Sequence, residues 1–508
     1  MSVSPYSSAI LKRGAVHFLV GKAASALLSL ITLLWLVRLL AVEEYGAYVV
    51  LIAGMEITLA ITSLGSPWVA ARYLPEFRLY SSGKMLIQFV WQLIALNTLF
   101  LVIGALLLLM AIPWLLEFLD LAQYTDAARL YLLVLIIEGS VRRIRENILG
   151  TLLQQKQAQI SLVTRNLALL LLLGIASNDG AVNLHFVVLA EFVASAVGGV
   201  LALHGLIQYM LKHCDLLGSD SWLPPKWSKM CGIACQMYFN QLVSLIYSPQ
   251  VFVFLIQRYL GAEATALFGF LRSLYVQIAS YLPATLLFSL IRPKLIASYV
   301  GTGGMAELSN NANLVGKLSL FVLMPVLIFT WIAGTELLDL LSGGKFGQVN
   351  NYLAGLLLAL IPLSQYQILT TVAVACDRSH LCFLGASLGM LSLPAAYWLL
   401  ESGYGVWSII IAIVMSQALC NAMIIFSLTR ATTYMPDTFG FFKLVIAALI
   451  SFILTQQLMM EVHGWLGLLI IAVSVVIFYL LSAYFIRPFR TEERTRINRV
   501  LNREIFVW

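Results

Sequence analysis

Long apolar segments follow one another along almost the whole chain, separated by short polar connections. A helix of about 20 apolar residues crosses a hydrocarbon layer about 30 Å thick, so each segment predicts a membrane-spanning helix. Fourteen such segments are residues 16–40, 48–70, 87–112, 128–150, 158–177, 186–208, 233–257, 265–290, 313–334, 352–375, 381–400, 404–428, 440–459 and 464–486. The fourth is the least apolar, because it contains Glu138, Arg142, Arg143, Arg145 and Glu146.

The composition supports this interpretation and excludes a soluble globular protein. Of 508 residues, 61% are hydrophobic and 11% are charged, whereas soluble domains carry about 25% charged residues. The six cysteines show no metal-binding spacing. We therefore expect an all-α polytopic membrane protein without a metal or cofactor. Its net charge of +7 is expected to set its orientation in the membrane, not to bind nucleic acid.

Basic residues are distributed unequally between the two sets of loops. With an even number of spans, both termini lie on one side, and most Lys and Arg residues fall on that side. The opposite set holds only Arg38, Arg129, Arg258 and Lys345. Because basic loops face the cytoplasm, both termini are predicted to be cytoplasmic.

A weak internal repeat organises the spans. Shifting the chain by about 220 residues aligns Arg38 with Arg258 and Glu43 with Glu263. Six helices per repeat give both copies the same orientation, which predicts two lobes related by a pseudo-two-fold axis along the membrane normal. The predicted parts are an N-terminal lobe (1–210, helices one to six), a cytoplasmic linker (211–231), a C-terminal lobe (232–430, helices seven to twelve), helices thirteen and fourteen (431–486), and a basic amphipathic cytoplasmic tail (487–508). The tail could lie on the inner membrane face or be solvated.

Ionisable residues within the spans are the candidates for function, since a charge at the bilayer centre costs about 2.5–3.5 kcal/mol on insertion scales. Glu138, Arg142 and Arg145 share one face of the fourth helix. We expect a cationic cavity that binds an anionic substrate, such as a phosphate or an acidic sugar, through Arg142, Arg143, Arg145, Arg165, Arg272 and Lys22. Candidates for coupling to H⁺ or Na⁺ are Glu56, Glu138 and Glu191. The alternative is structural pairing of Arg142 with Glu138 or Glu146.

Short motifs resemble a known family. Arg38-Leu39-Leu40-Ala41-Val42-Glu43-Glu44-Tyr45-Gly46-Ala47-Tyr48 resembles the link between helices one and two in the polysaccharide transporter branch of the multidrug/oligosaccharidyl-lipid/polysaccharide flippase superfamily. Ser63-Leu64-Gly65, the stretch from Arg72 to Arg78, and Leu340-Leu341-Ser342-Gly343-Gly344-Lys345-Phe346 also fit that branch.

The resemblance implies a flippase of the bacterial cytoplasmic membrane that moves undecaprenyl-diphosphate-linked oligosaccharide by alternating access. Its implied partners are the lipid-linked glycan, membrane lipids and other polysaccharide assembly proteins. A drug antiporter of the same superfamily and a lipid II flippase are alternatives. A membrane enzyme such as a glycan polymerase is disfavoured, because the sequence predicts no long external loop, so we expect no enzymatic activity.

Overall fold

The computed structural model describes residues 8–178, 182–215, 223–286, 304–346, 351–376, 378, 380–458, 464–501, 504 and 506. Within these ranges the chain forms helices and no β-strand, which confirms the predicted all-α class. Several predicted features fall partly outside the described residues. Among them are residues 216–222 of the linker, residues 287–290 of the eighth span, residue 459 of the thirteenth span, and residues 502, 503, 505, 507 and 508 of the tail.

The described residues up to Tyr281 form nine long helices. They are α1 (Ser8–Leu39), α2 (Val42–Ile61), α3 (Ser66–Tyr80), α4 (Gly83–Phe118), α5 (Thr125–Arg143), α6 (Gln155–Asn178), α7 (Leu184–His213), α8 (Trp227–Ile246) and α9 (Pro249–Tyr281). A 3₁₀ turn, Ala122–Tyr124, precedes α5, and a π-helical segment, Ile144–Leu149, continues it. Gly261 has a φ of +83° and separates two helical parts of α9, between the predicted seventh and eighth spans.

The second half contains the remaining described helices. They are α10 (Pro283–Leu286), α11 (Gly304–Ser342), α12 (Tyr352–Leu358), α13 (Leu360–Ala375), α14 (His380–Gly389), α15 (Ser392–Glu401), α16 (Val406–Ala431), α17 (Thr438–Leu458), α18 (Gly464–Ile486) and α19 (Thr491–Leu501). The pairs α12–α13 and α14–α15 each fill one predicted span.

Among the described residues, 12 helical segments are long and apolar enough to cross a membrane. One of them, Trp227–Tyr281, has 55 residues, which suffices for two crossings. The charged segment α5 is not among the 12, although its length with the π-helical segment matches the predicted fourth span. Counted in this way, the helices agree with about fourteen spans.

The chain divides into two compact units. The first unit consists of residues 1–245 and 250–269, and the second of residues 246–249 and 270–508. Residues 232–245 and 250–269 thus pack with the first unit, although the repeat groups them with the later helices. In the first unit, α3 packs on α4 through stacked Phe77 and Phe89 rings, whose centroids lie 4.2 Å apart. In the second unit, α11, α13, α14 and α16 share an apolar core.

The turn between α2 and α3 depends on Gly65. Its φ is +74°, a left-handed conformation that costs other residues about 1–2 kcal/mol, and a Cβ there would overlap the carbonyl of Ala234. We expect Gly65→Ala to lower the free energy of unfolding by about 2 kcal/mol or more. Gly232→Ala is the matched control. This helical position has open space around a Cβ, so alanine should stabilise α8 by up to about 1 kcal/mol. Thermal unfolding in detergent measures both; equal shifts would contradict the prediction.

Candidate functional site

A buried ion pair joins two turns of the fourth span. Glu138 lies on α5, and Arg145 follows seven residues later in the π-helical segment, so both lie on one face. The guanidinium of Arg145 donates a hydrogen bond to Glu138 Oε1. Each side chain is only 6% exposed. Arg145 thus reaches back along its own helix to a carboxylate two turns away.

Arg165 of α6 extends this pair into a network of four charges. Its Nε lies 3.0 Å from Glu138 Oε2, and its Nη2 lies 3.9 Å from Glu191 Oε1 on α7. Tyr48 of α2 donates its hydroxyl hydrogen to the same Glu191 oxygen at 2.6 Å. We call Glu138, Arg145, Arg165 and Glu191 the charge network. It connects α5, α6 and α7 within the first unit.

Neutral groups orient Arg165, and they were hard to predict from the sequence. Arg165 Nε also donates to Ser195 Oγ at 3.2 Å, and its Nη1 donates to Asn166 Oδ1 at 3.3 Å. Gly198 lets α6 and α7 approach closely here, since a Cβ would lie 3.0 Å from the Cβ of Arg165. The only sequence signal was the set of small residues on α7 around Ser195 and Gly198.

The other two arginines of the fourth span lie elsewhere. Arg142 pairs with Glu146 at 3.0 Å, and its side chain is 42% exposed. Glu138 pairs with Arg145 and Arg165, so the alternative Glu138–Arg142 pair is not what the structure contains. Arg143 is buried and donates to the carbonyls of Asn97 and Leu59 and to the Thr62 hydroxyl at 2.6–3.0 Å. It thereby bridges α4 to the end of α2.

The remaining candidates are Glu56, Lys22 and Arg272. Glu56 of α2 accepts a hydrogen bond from Gln250 at 2.9 Å. Lys22 of α1 is half-buried, and its Nζ lies 5.6 Å from the ring centroid of Phe18. Arg272 is buried in the second unit. The structure therefore brings together four of the nine predicted site residues: Glu138, Arg145, Arg165 and Glu191.

The charge network is balanced, with two carboxylates and two guanidinium groups. Balance explains how such charges tolerate burial, because each cation has an anionic partner. One donor is left over, since Nη1 of Arg145 is buried without a hydrogen-bond partner in the described part of the chain. The described residues contain no group of three or more His, Cys, Asp or Glu side chains that could hold a metal ion. The network can exchange partners or protons, and it has a spare donor for an anion.

Solved structures with the same fold include several membrane transporters. The lipid II flippase MurJ, in an inward closed conformation, has 14% sequence identity and a TM-score of 0.71, covering 96% of this chain and 100% of that one. The Vibrio cholerae MATE transporter VcmN has 16% identity and a TM-score of 0.53, covering 83% and 96%. An inward-facing MATE family transporter of the MOP superfamily has 12% identity and a TM-score of 0.59, covering 80% and 94%. None of the curated proteins compared with the chain matches it.

A family model gives the more specific result. The model described as polysaccharide biosynthesis protein matches residues 11–291, more than half of the chain. This match includes helices α1–α9 and the whole charge network. It also confirms the resemblance that the sequence between Arg38 and Tyr48 indicated. The chain belongs to the polysaccharide biosynthesis protein family, with the fold of the MOP flippase superfamily.

Proposed function

We propose that this protein is a flippase that moves undecaprenyl-diphosphate-linked oligosaccharide across the bacterial inner membrane for surface polysaccharide assembly. The charge network in the first unit is the observation that carries this proposal. Four ionised side chains buried in a membrane-spanning region are costly, so a balanced set with a spare guanidinium donor favours a transport role. Both termini are cytoplasmic in this proposal, and the chain catalyses no covalent step.

Arginine suits the diphosphate part of such a substrate. A guanidinium can donate two parallel hydrogen bonds to phosphate oxygens, which a lysine ammonium cannot do. In the structure, Glu138 pairs with Arg145 and Arg165, and Glu191 pairs with Arg165. A diphosphate entering the network would compete with these carboxylates, starting with the free Nη1 of Arg145. The network is closed from solvent here, so binding requires another conformation, as alternating access supplies.

The same exchange suggests how an ion could drive the cycle. When a diphosphate takes Arg145 or Arg165, a carboxylate loses its partner and becomes costly to bury. Protonation, or binding of Na⁺, would neutralise that carboxylate. Glu138 and Glu191 are therefore the proposed coupling groups, and Glu56 with its Gln250 partner is a further candidate. The remaining cations, Arg142, Arg143, Arg272 and Lys22, are proposed as secondary contacts to the substrate.

A lipid II flippase is the second candidate, because the MurJ structure covers 96% of this chain with a TM-score of 0.71. The MATE structures above leave 17–20% of this chain uncovered. Deleting the gene in its host distinguishes these functions. A membrane-impermeant glycan probe, applied to intact and broken cells, should find lipid-linked oligosaccharide trapped on the inner leaflet. Trapped lipid II, or unchanged polysaccharide, would contradict the proposal.

Arg145→Ala tests the proposed site directly. We expect polysaccharide export to fall at least 10-fold while the protein still inserts, because the spare donor and the partner of Glu138 are both lost. Export is measured by complementing the deletion strain and quantifying surface polysaccharide against membrane protein. Arg72→Ala is the matched control, since Arg72 is 62% exposed, pairs with nearby Glu76 and lies over the adjacent Tyr73 ring. Normal export by Arg145→Ala would argue against a substrate role for the network.

A further inference from the structure

A second buried charge cluster lies in the second unit, far along the chain from the charge network. Lys317 of α11 is completely buried, and its Nζ contacts Asp437 Oδ2 at 2.7 Å. It also contacts Glu493 Oε2 of α19. Asp437 precedes α17, and Arg490 lies 3.1 Å from its other carboxylate oxygen. One lysine thus joins a membrane-spanning helix, a connection and the C-terminal segment.

Further contacts hold the C-terminal segment to the same helix. The backbone N–H of Arg490 donates to Glu493 at 2.8 Å, and Arg496 donates to Asn311 of α11 at 2.7 Å. Phe489 is 2% exposed. Its ring packs against Phe321 of α11, with centroids 5.6 Å apart. Polar and apolar contacts therefore fix the segment at several points along its length.

The chain closes on itself beyond α19. Phe506 packs against both Phe321 and Phe489, with ring centroids 5.8 and 5.0 Å apart. Its backbone N–H and C=O bond the side chain of Asn498 at 2.7 and 3.0 Å. Contacts of Phe489, Glu493, Arg496 and Phe506 thus hold the described part of the segment against the second unit.

Helices α17 and α18 are tied into the same assembly. Asp437 begins the turn into α17, where its Oδ1 accepts the N–H of Gly440 at 3.2 Å. Lys443 of α17 donates to the carbonyl of Arg487, just after α18, at 3.3 Å. Tyr479 of α18 packs on Phe321, with centroids 5.4 Å apart. The last two membrane helices, α17 and α18, are therefore bound to the rest of the second unit.

We infer that the described part of the C-terminal segment, residues 487–501 with Phe506, forms a strap that holds α17 and α18 against α11, so that these helices move as one body during transport. The buried Lys317 is the lock, because releasing the strap would leave its ammonium without Glu493 in an apolar environment. The strap requires that Glu493 face the protein, and Glu493 is buried whereas its neighbour Glu492 is exposed. This arrangement differs from a basic tail free to lie on the membrane surface.

Trypsin digestion of the purified full-length protein tests the strap without any transport assay. Cleavage after Arg494, Arg496 and Arg499 is followed by mass spectrometry. Glu493→Gln should accelerate this cleavage at least 10-fold, because Lys317 loses one of its two carboxylate partners. Glu492→Gln makes the same charge change one residue away and should leave the rate unchanged. Equal rates for the two variants, fast or slow, would overturn the strap.

A milder variant keeps the test available if Glu493→Gln does not fold. The side chain of Arg490 is 65% exposed, so Arg490→Ala removes the ion pair with Asp437 without creating a cavity in the protein interior. Cleavage at Arg494 and Arg496 should then rise about 3-fold, and an unchanged rate would count against the strap. The functional claim is tested by surface polysaccharide in cells. Full export by a Glu493→Gln protein with a released strap would show that the lock is not needed for transport.

Discussion

Arg165→Ala should destabilise the protein by about 3–5 kcal/mol, the usual effect of removing one partner from a buried ion pair. Arg165 is 14% exposed and lies within 4 Å of two buried carboxylates, so its loss removes an ion pair from both Glu138 and Glu191. Export should fall at least 10-fold as well. The measurements are thermal unfolding in detergent and surface polysaccharide per inserted molecule.

Two further variants separate stability from transport. Arg142→Ala removes a guanidinium from the same span, but the pair with Glu146 is 42% and 61% exposed, so stability should change by less than about 1 kcal/mol. Adding Glu191→Gln to Arg165→Ala neutralises the stranded carboxylate and should restore part of the stability without restoring export. If Arg165→Ala were no more destabilising than Arg142→Ala, the ion pairs of Arg165 would not exist in the membrane.

The helices were predictable because their signal is local. A run of about 20 apolar residues needs no partner elsewhere in the chain to be recognised. Even the fourth span, with its six charged residues, was identified, since its length and the alternation of basic loops required a helix there. Most predicted spans coincide with observed helices, because a bilayer allows few backbone conformations other than the helix.

The site was predictable only in part, because ion pairing depends on which helices become neighbours. The spacing of Glu138, Arg142 and Arg145 indicated that they share a face of one helix. It did not indicate that Glu138 would also pair with Arg165 of α6. Helical spacing also allowed a Glu138–Arg142 pair, whereas in the structure Arg142 forms its ion pair with Glu146. The excess of arginines suggested a net cationic lining. The structure instead places Glu191 opposite Arg165, so the assembled network is neutral.

The contacts of the C-terminal segment were even harder to predict from the sequence. Its alternation of Arg and Glu with apolar residues is compatible with a helix on a membrane surface, and α19 is indeed helical. Nothing local marks Glu493 as different from Glu492. Its partner Lys317 lies 176 residues away near one end of an apolar helix, where a lysine is usually explained by snorkelling.

Lys317→Met should lower the free energy of unfolding by about 3–5 kcal/mol, because two buried carboxylates lose their shared cation.

The cluster of Lys317, Asp437, Glu493 and Arg490 also holds the pKa of Asp437 below its usual value. Burial by itself would raise that pKa, but the hydrogen bond and charge of Lys317, the N–H of Gly440 and the charge of Arg490 outweigh it. A lowered folded-state pKa means that Asp437 stabilises the protein above its unfolded pKa of about 3.9. That stabilisation is lost as the pH falls further.

Thermal unfolding of detergent-purified protein between pH 7 and pH 3 checks these expectations. Lys443→Met is the matched control, because Lys443 donates to a neutral backbone carbonyl and lies over the ring of Phe439, and it should cost about 1 kcal/mol or less. Combining Lys317→Met with Asp437→Asn and Glu493→Gln removes the stranded charges and should recover much of the stability. Recovery would show that the loss is electrostatic and specific to the strap. If the triple variant were as unstable as Lys317→Met, the loss would come from packing around the lysine stem, and the lock would not be ionic.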